Sequence, residues 1–410
     1  MKTLINRELA VIFAVMALAT MAMAVLNPIL PLFLTSNKIT PDVIGLMLAV
    51  VNVGMVFGEP SGGWLADKVG LKTPMLIGTF LCAPVVLCFV FTHSIAPFFM
   101  IFIFWGIFRS AVFGPARGFI GKTSALSNKA MIMSIYMTTI TLSRSLGSLF
   151  SGYIADSRFG YKGDFYLAAA LSVVAGIILI SGFKNMPLWK PLPNEGGKYI
   201  TEKPARVKMT AIFRPIIFQC IVAMTFFIAI GVNSFLPLVA TEIVKVDASK
   251  VGLLYTVGGL VSAALFIPMG WLADRRDKKW LMIFGLLFSA ANLAGIAYAK
   301  QYWLLVLLQV VGNVGFAMFT PAAISMLSNN APGHGQGTAF GIYGASEDIG
   351  IILGSGVGGF VWTAGGPMAL YLMGAGFVML GAILCLGLVR DSAKNKGSIS
   401  PPQDPAPASR

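Results

Sequence analysis

The chain has 410 residues, 57% of them hydrophobic and only 11% charged, with a mean hydropathy of +0.81 and a formal net charge of +14. A soluble domain carries roughly 25% charged residues, so most of this chain does not face water. The positive excess would suit a nucleic-acid partner if it formed a patch, but it is scattered over the short segments between apolar runs, which excludes that class.

A hydrocarbon core about 30 Å thick needs about 20 helical residues. Apolar runs of that order occupy 9–33, 42–65, 74–92, 97–121, 130–154, 164–183, 210–239, 249–272, 280–299, 302–327, 338–362 and 367–389. Backbone in lipid must bond to itself, so these twelve runs are read as membrane-spanning helices. Lys2 and Arg7 precede the first run as in a signal peptide, but the run exceeds the usual ~7–15 apolar residues and no cleavage site follows, so it reads as span 1. Of the 30 Lys and Arg, 21 fall in segments on the N-terminal side of the membrane, six in the opposite loops, and Arg109, Arg117 and Arg144 within spans. The positive-inside rule then places both termini in the cytoplasm of a multi-pass cell (inner) membrane protein.

Internal repetition divides the chain. Gly63-Trp-Leu-Ala-Asp67-Lys68-Val-Gly70-Leu-Lys72 returns as Gly270-Trp-Leu-Ala-Asp274-Arg275-Arg-Asp277-Lys278-Lys279. Asn27-Pro-Ile-Leu-Pro31 matches Asn233-Ser-Phe-Leu-Pro237, Gly106 and Pro115 match Gly312 and Pro321, and Leu146-Gly147-Ser148 matches Leu353-Gly354-Ser355, always at an offset of 206 or 207. A constant offset over four pairs of spans predicts two parallel repeats about an axis along the membrane normal. The expected organisation is a six-helix bundle over 1–183, a cytoplasmic linker over 184–208, a second bundle over 209–390 and a disordered cytoplasmic tail over 391–410.

Ionisable residues inside spans are costly and point to function. They are Glu59 in span 2, Arg109 and Arg117 in span 4, Arg144 in span 5, and the Glu347-Asp348 pair in span 11. Arg109, Arg144, Glu347 and Asp348 lie near mid-membrane at 1.5 Å per residue. Adjacent carboxylates point about 100° apart on a helix, so they cannot share a partner. Asp348 is assigned the arginine side and Glu347 the seam between halves or the proton. An ion-pair network that only locks the halves together is the competing reading. Arg117 and Lys122 read as anchors near the membrane surface, and Glu59 as a brace for the basic loop beside it. Asn27, Asn233, Gln309 and Asn313 are polar positions of spans 1, 7 and 10.

Cys82, Cys88, Cys220 and Cys385 lie inside apolar runs without ligand spacing, and His93 and His334 form no cluster, so no metal or cofactor is expected. With no glycine-rich phosphate loop and no nucleophile constellation, the chain is expected not to be an enzyme.

The repeated loop resembles the signature between spans 2 and 3 of the major facilitator superfamily, departing from it at Leu71 in the first copy and at Asp277 in the second. The resemblance implies an all-α fold of twelve helices in two pseudo-symmetric bundles. It also implies that spans 1, 4, 7 and 10 line a central cavity, that 2, 5, 8 and 11 form the seam, and that 3, 6, 9 and 12 face lipid. Pro28-Ile-Leu-Pro31 is similar to a motif of the twelve-span drug:proton antiporters. Gly147-Ser-Leu-Phe-Ser151-Gly152 is similar to another, with Ser148 in place of proline and Ser151 in place of glycine.

The chain is therefore expected to be a proton-coupled exporter of small amphipathic compounds, working as a monomer by rocker-switch alternating access within membrane lipid. Glu347 and Asp348 would carry the proton, and Arg109, Arg144, Asn27, Asn233, Gln309 and Asn313 would meet substrate. Gly63, Asp67, Lys68, Gly70 and Lys72, with Gly270, Asp274, Arg275 and Lys279, would form a latch. In it Asp67 docks at the start of span 11 and Asp274 at the start of span 5 while the cytoplasmic side is shut. One alternative is a carrier for a small organic anion clamped by Arg109 and Arg144. Another is a transport-inactive receptor or scaffold, against which the short loops count.

Overall fold

The structure of the protein, a computed structural model, describes residues 7–123, 129–182, 209–330 and 336–389. The expected linker 184–208 and tail 391–410 lie outside these residues. The described chain is helical throughout: α1 (Arg7–Leu26), α2 (Leu30–Ser36), α3 (Pro41–Val69), α4 (Lys72–Phe91), α5 (Ile95–Thr123), α6 (Lys129–Ala155) and α7 (Gly160–Gly182), then α8 (Met209–Asn233), α9 (Leu236–Leu238), α10 (Ala248–Arg275), α11 (Lys278–Ile296), α12 (Tyr302–Asn330) and α13 (Gln336–Leu388).

Two spans are broken at matching places. Pro28 supplies no N–H, so span 1 stops at Leu26 and resumes as α2 at Leu30. Span 7 breaks between α8 and α9 and ends in a π-helical turn, Val239–Ile243. α13 is 53 residues long, about 80 Å at 1.5 Å per residue and too long for one crossing. Gly366, with φ 75°, divides it into two rods, and Pro367 starts the second.

Among the described residues, ten helices are apolar and long enough to cross a membrane, with both rods of α13 counted together. α6 is long enough but less apolar, because Arg144 and a run of Ser and Thr interrupt it. Those hydroxyls are satisfied within the helix: Thr141 Oγ1 donates to Met137 O (2.8 Å) and Ser145 Oγ to Thr141 O (3.0 Å). With α6 included, the broken spans counted once and α13 counted as two rods, the described helices are consistent with the twelve spans expected.

Packing repeats with the sequence. In the first half α1 packs on α6 and α7, α3 and α4 on α5, and α4 on α7. In the second half α8 packs on α13, α10 and α11 on α12, and α11 on α13. Each half is filled by aromatic rings, such as Phe33 on Phe165 (4.8 Å) and Phe226 on Phe319 (4.1 Å). Between halves the main contacts are α3 on α13 and α6 on α10, the seam that the resemblance implied for spans 2, 5, 8 and 11.

The seam is closed at one end only. Gly45 abuts the backbone of Ser355 and Gly359, and Gly252 that of Ser148 and Gly152, pairs related by the same offset of 207. Only glycine lets helix backbones meet so closely. Along the same face of α3, Ala49 and Asn52 are buried, yet Val56 is 39% exposed. Toward the ends bearing the repeated loops, Gly270, Gly341 and Gly344 touch none of the described residues across the seam. The halves thus meet at the Gly45–Gly252 end and part toward the other, leaving a cleft.

Candidate transport site

The repeated loops are built alike. Lys68 sits 4.1 Å from the Trp64 ring centre and Arg275 4.2 Å from that of Trp271, cations held over exposed indoles. Lys72 Nζ donates to Ile180 O (2.9 Å) in the last turn of α7, and Lys279 Nζ to Leu386 O (2.6 Å) in the last turn of α13. Each lysine meets carbonyls at the negative end of a helix. The loops differ where their sequences do. Gly70 ends α3 with φ 94°, a value that suits glycine. At the equivalent position Asp277 stays extended and caps α11, accepting from Lys279 N (3.1 Å). Asp274 is exposed and makes no hydrogen bond or ion pair among the described residues. The side chains of Glu59, Gly63, Asp67, Arg117 and Lys122 lie outside them.

Helical geometry orients Arg144. α6 turns Gly147 and Ser148 toward α1, where Ser148 Oγ donates to Ala24 O (3.3 Å). It turns Ser145 and Gly152 toward α10, where Thr256 Oγ1 donates to Ser145 O (3.1 Å). Leu142, Leu146, Phe150 and Tyr153 form an exposed apolar stripe suited to lipid. Arg144 is exposed on the opposite side, about 180° from that stripe, between the faces for α1 and α10. That side is the cleft.

The carboxylates separate onto different faces of α13, as their adjacency requires. Asp348 precedes Ser355 by seven residues and shares its face, the one that meets α3 across the seam. Glu347 precedes Gly354 by seven and shares the face packed on α8, within electrostatic reach of the Tyr343 hydroxyl and the Cys220 thiol. The seam residue is therefore Asp348, because the tight α13–α8 packing at Gly350 and Gly354 fixes the helix rotation.

Arg109 occupies a different space. Its guanidinium lies 5.8 Å from the Trp105 ring centre and lines a small cavity inside the first bundle with Ala22, Met23, Thr79, Cys82 and Ser172. Three of the four candidate amides come together in the second half. Gln309 Nε2 donates to Asn233 Oδ1 (3.4 Å), Asn313 Nδ2 to Gln309 Oε1 (3.3 Å), and Ser262 Oγ to Asn313 Oδ1 (2.8 Å). Asn27 is exposed at the break of span 1, in the other half. Beside the amide chain, half-buried Phe266 packs edge-on to Phe316 at 5.7 Å. Cys82, Cys220 and Cys385 are buried, as small packing residues are, whereas Cys88 is exposed.

Sequence reasoning missed three acids at the closed end. α10 begins after Asp247, which makes no cap of its own. Asp156, from the end of α6 in the other half, accepts from Ala248 N (3.2 Å) and Ser249 N (2.7 Å) instead. At the other seam Thr363 Oγ1 donates to Asp42 Oδ1 (3.5 Å). Asp156 and Thr363 are 207 apart, as are Asp42 and Ser249, so the repeat carried the signal. Asp164 was missed because it stood at the very edge of the apolar run from 164, whereas α7 starts at Gly160 and carries it one turn inside the helix.

The family model described as Major Facilitator Superfamily matches residues 12–243 and 216–410. The quinolone resistance protein NorA of Staphylococcus aureus (strain COL) is 24% identical over 401 residues, covering 95% of this chain and 99% of NorA. An uncharacterized MFS-type transporter, MJ1560 of Methanocaldococcus jannaschii, is 24% identical over 375 residues, 88% of this chain and 93% of the relative. Among solved structures, a POT family transporter in complex with 5-aminolevulinic acid aligns with a TM-score of 0.78 at 12% identity, over 94% of this chain and 96% of that one. A bacterial homolog of the human lysosomal transporter Spinster, inward-facing and unoccupied, aligns with a TM-score of 0.76 at 14% identity, over 92% and 94%. These likenesses show the fold, and the match of sequence along the whole length shows more: the chain belongs to the Major Facilitator Superfamily and is a multi-pass membrane transporter of small molecules, not an enzyme.

Proposed function

We propose that the protein exports small amphipathic, aromatic compounds in exchange for protons, and that the structure is its inward-open state. The observation that carries this reading is an arginine and a carboxylate on seam helices of opposite halves, Arg144 and Asp348, near one depth of a cleft open at a single end. With the basic loops in the cytoplasm, the open end faces inward. The tethers of Lys72 and Lys279 to their own bundles suit loops that move with those bundles. The Asn233–Gln309–Asn313 chain beside Phe266 and Phe316 offers hydrogen bonds next to ring faces, which fits an aromatic cargo. The name of the NorA relative points to quinolones, compounds of that chemistry.

The test is transport of a fluorescent aromatic cation such as ethidium by the purified protein in liposomes, driven by an imposed pH gradient. Asp348→Asn should abolish gradient-driven movement while leaving ligand binding. An unchanged rate would reject proton exchange at this residue. Loss of binding on Arg144→Lys, with Asp348→Asn mild, would instead identify an organic-anion carrier.

A further inference from the structure

Asp164 is the most deeply buried acid among the described residues, with no accessible surface. Among the described residues neither carboxyl oxygen has a partner at full hydrogen-bond geometry, and the nearest polar group is the Ser151 hydroxyl. It lies four residues into α7, about 6 Å from the helix start, at the closed end of the molecule. Ser151, fully buried and with its own hydroxyl unbonded, lies beside it. Ser151 is followed by Gly152, whose Cα is pressed against the Ala248–Ser249 backbone across the seam. Consecutive residues of α6 thus face the buried acid on one side and the other half on the other. Asp156, one turn further on, caps α10.

Among the described residues no cation is seen to act on Asp164, and the nearest in sequence, Arg158 and Lys162, are exposed. From its own helix, Tyr161 lies within electrostatic reach of both Asp164 and Asp156. From α6 the ionisable groups nearby are Asp156 and the exposed Tyr153. At this depth α1, α2 and α4 offer none except the exposed thiol of Cys88. An ionised carboxylate with neither partner nor water is far costlier to bury than the neutral acid.

We propose that Asp164 is a proton-binding site, filled while the Gly152–Ser249 seam is shut and emptied when it parts. Freeing Gly152 from α10 shifts Ser151 against Asp164 and lets water reach the acid, which then ionises to the bath on that side. Binding and closure are reciprocal, so acid on that side draws the seam shut. The site deepens the proton-exchange reading above by giving the second face of the membrane its own proton acceptor, but its test stands without it.

The test uses the full chain in nanodiscs, with spin labels at the ends of α6 and α10 reporting the seam distance from pH 5 to pH 9. The wild type should gain closed population on acidification, by up to about tenfold per pH unit, the limit for one proton. Asp164→Asn should lose that dependence and stay closed; if it does not fold, Asp164→Leu is read the same way. In parallel, the infrared band of a protonated carboxyl should be present in the closed wild type and absent from the variant. A pH-independent wild-type seam, or a dependence that survives in the variants, overturns the proposal. Loss of ethidium transport in Asp348→Asn alongside a wild-type pH response of the seam separates the two sites. Failure of gradient-driven transport with that response intact would sink the exporter reading alone.

Discussion

Side chains that share a helix and even a residue-to-residue bond face different neighbours here. Glu347 and Asp348 were legible as adjacent acids in an apolar run, but which one meets the seam was not. That depends on the rotation of α13, which packing against α8 fixes through glycines 350 and 354. Arg144 was legible for the same reason as the acids, and its orientation follows from the hydroxyls around it. Arg109 was equally visible as a charge, yet it belongs to the interior of one bundle, a placement that follows from tertiary packing alone. Asp277 offers a smaller test of local chemistry. Replacing it by alanine removes the cap of α11 and should lower stability by about 1 kcal/mol, read as a reduced melting temperature in detergent, whereas Asp274→Ala should leave stability unchanged.

Individual helices show how the halves are held. The cap that Asp156 lends to α10 exists only with the seam shut, so its value belongs to one state. Asp156→Ala should therefore cost that state about 1 kcal/mol and reduce the closed population roughly fivefold, measured as faster thiol labelling of Ser249→Cys. Equal labelling with and without Asp156 would remove the cap from the gate. The lysine tethers act within single bundles. Lys72→Ala and Lys279→Ala should each lower the melting temperature by a similar amount, about 1 kcal/mol of stability, without changing that labelling. Helices as such were readable from apolar length. Proline stands at both breaks, Pro28 and Pro237, and the last two spans, read as separate runs, are two rods joined at Gly366 without a polar loop.

For the molecule as a whole, the constant offset was the most informative feature, since one duplicated design predicted both the pairing of helices and the matching loops. It fell short where the copies have diverged: α6 is polar for a span, and α7 carries Asp164. The glycine contacts give the global prediction. Gly45→Leu together with Gly252→Leu places side chains where backbone now meets backbone, and should drive the population toward the state open at that end. Labels at the two ends should report opposite distance changes; widening at both would mean simple loosening of the interface.

The two seams are fastened unequally. One holds a carboxylate astride two amides of a facing helix, at 2.7 and 3.2 Å; the other relies on a single hydroxyl at 3.5 Å, the acceptor coming from the first half in both. Twofold likeness in the backbone therefore does not make for a symmetric stroke. The α3–α13 side should let go first, with the α6–α10 side serving as the pivot, so that passage opens as a door swung from one jamb and admits cargo past the flank nearer α3.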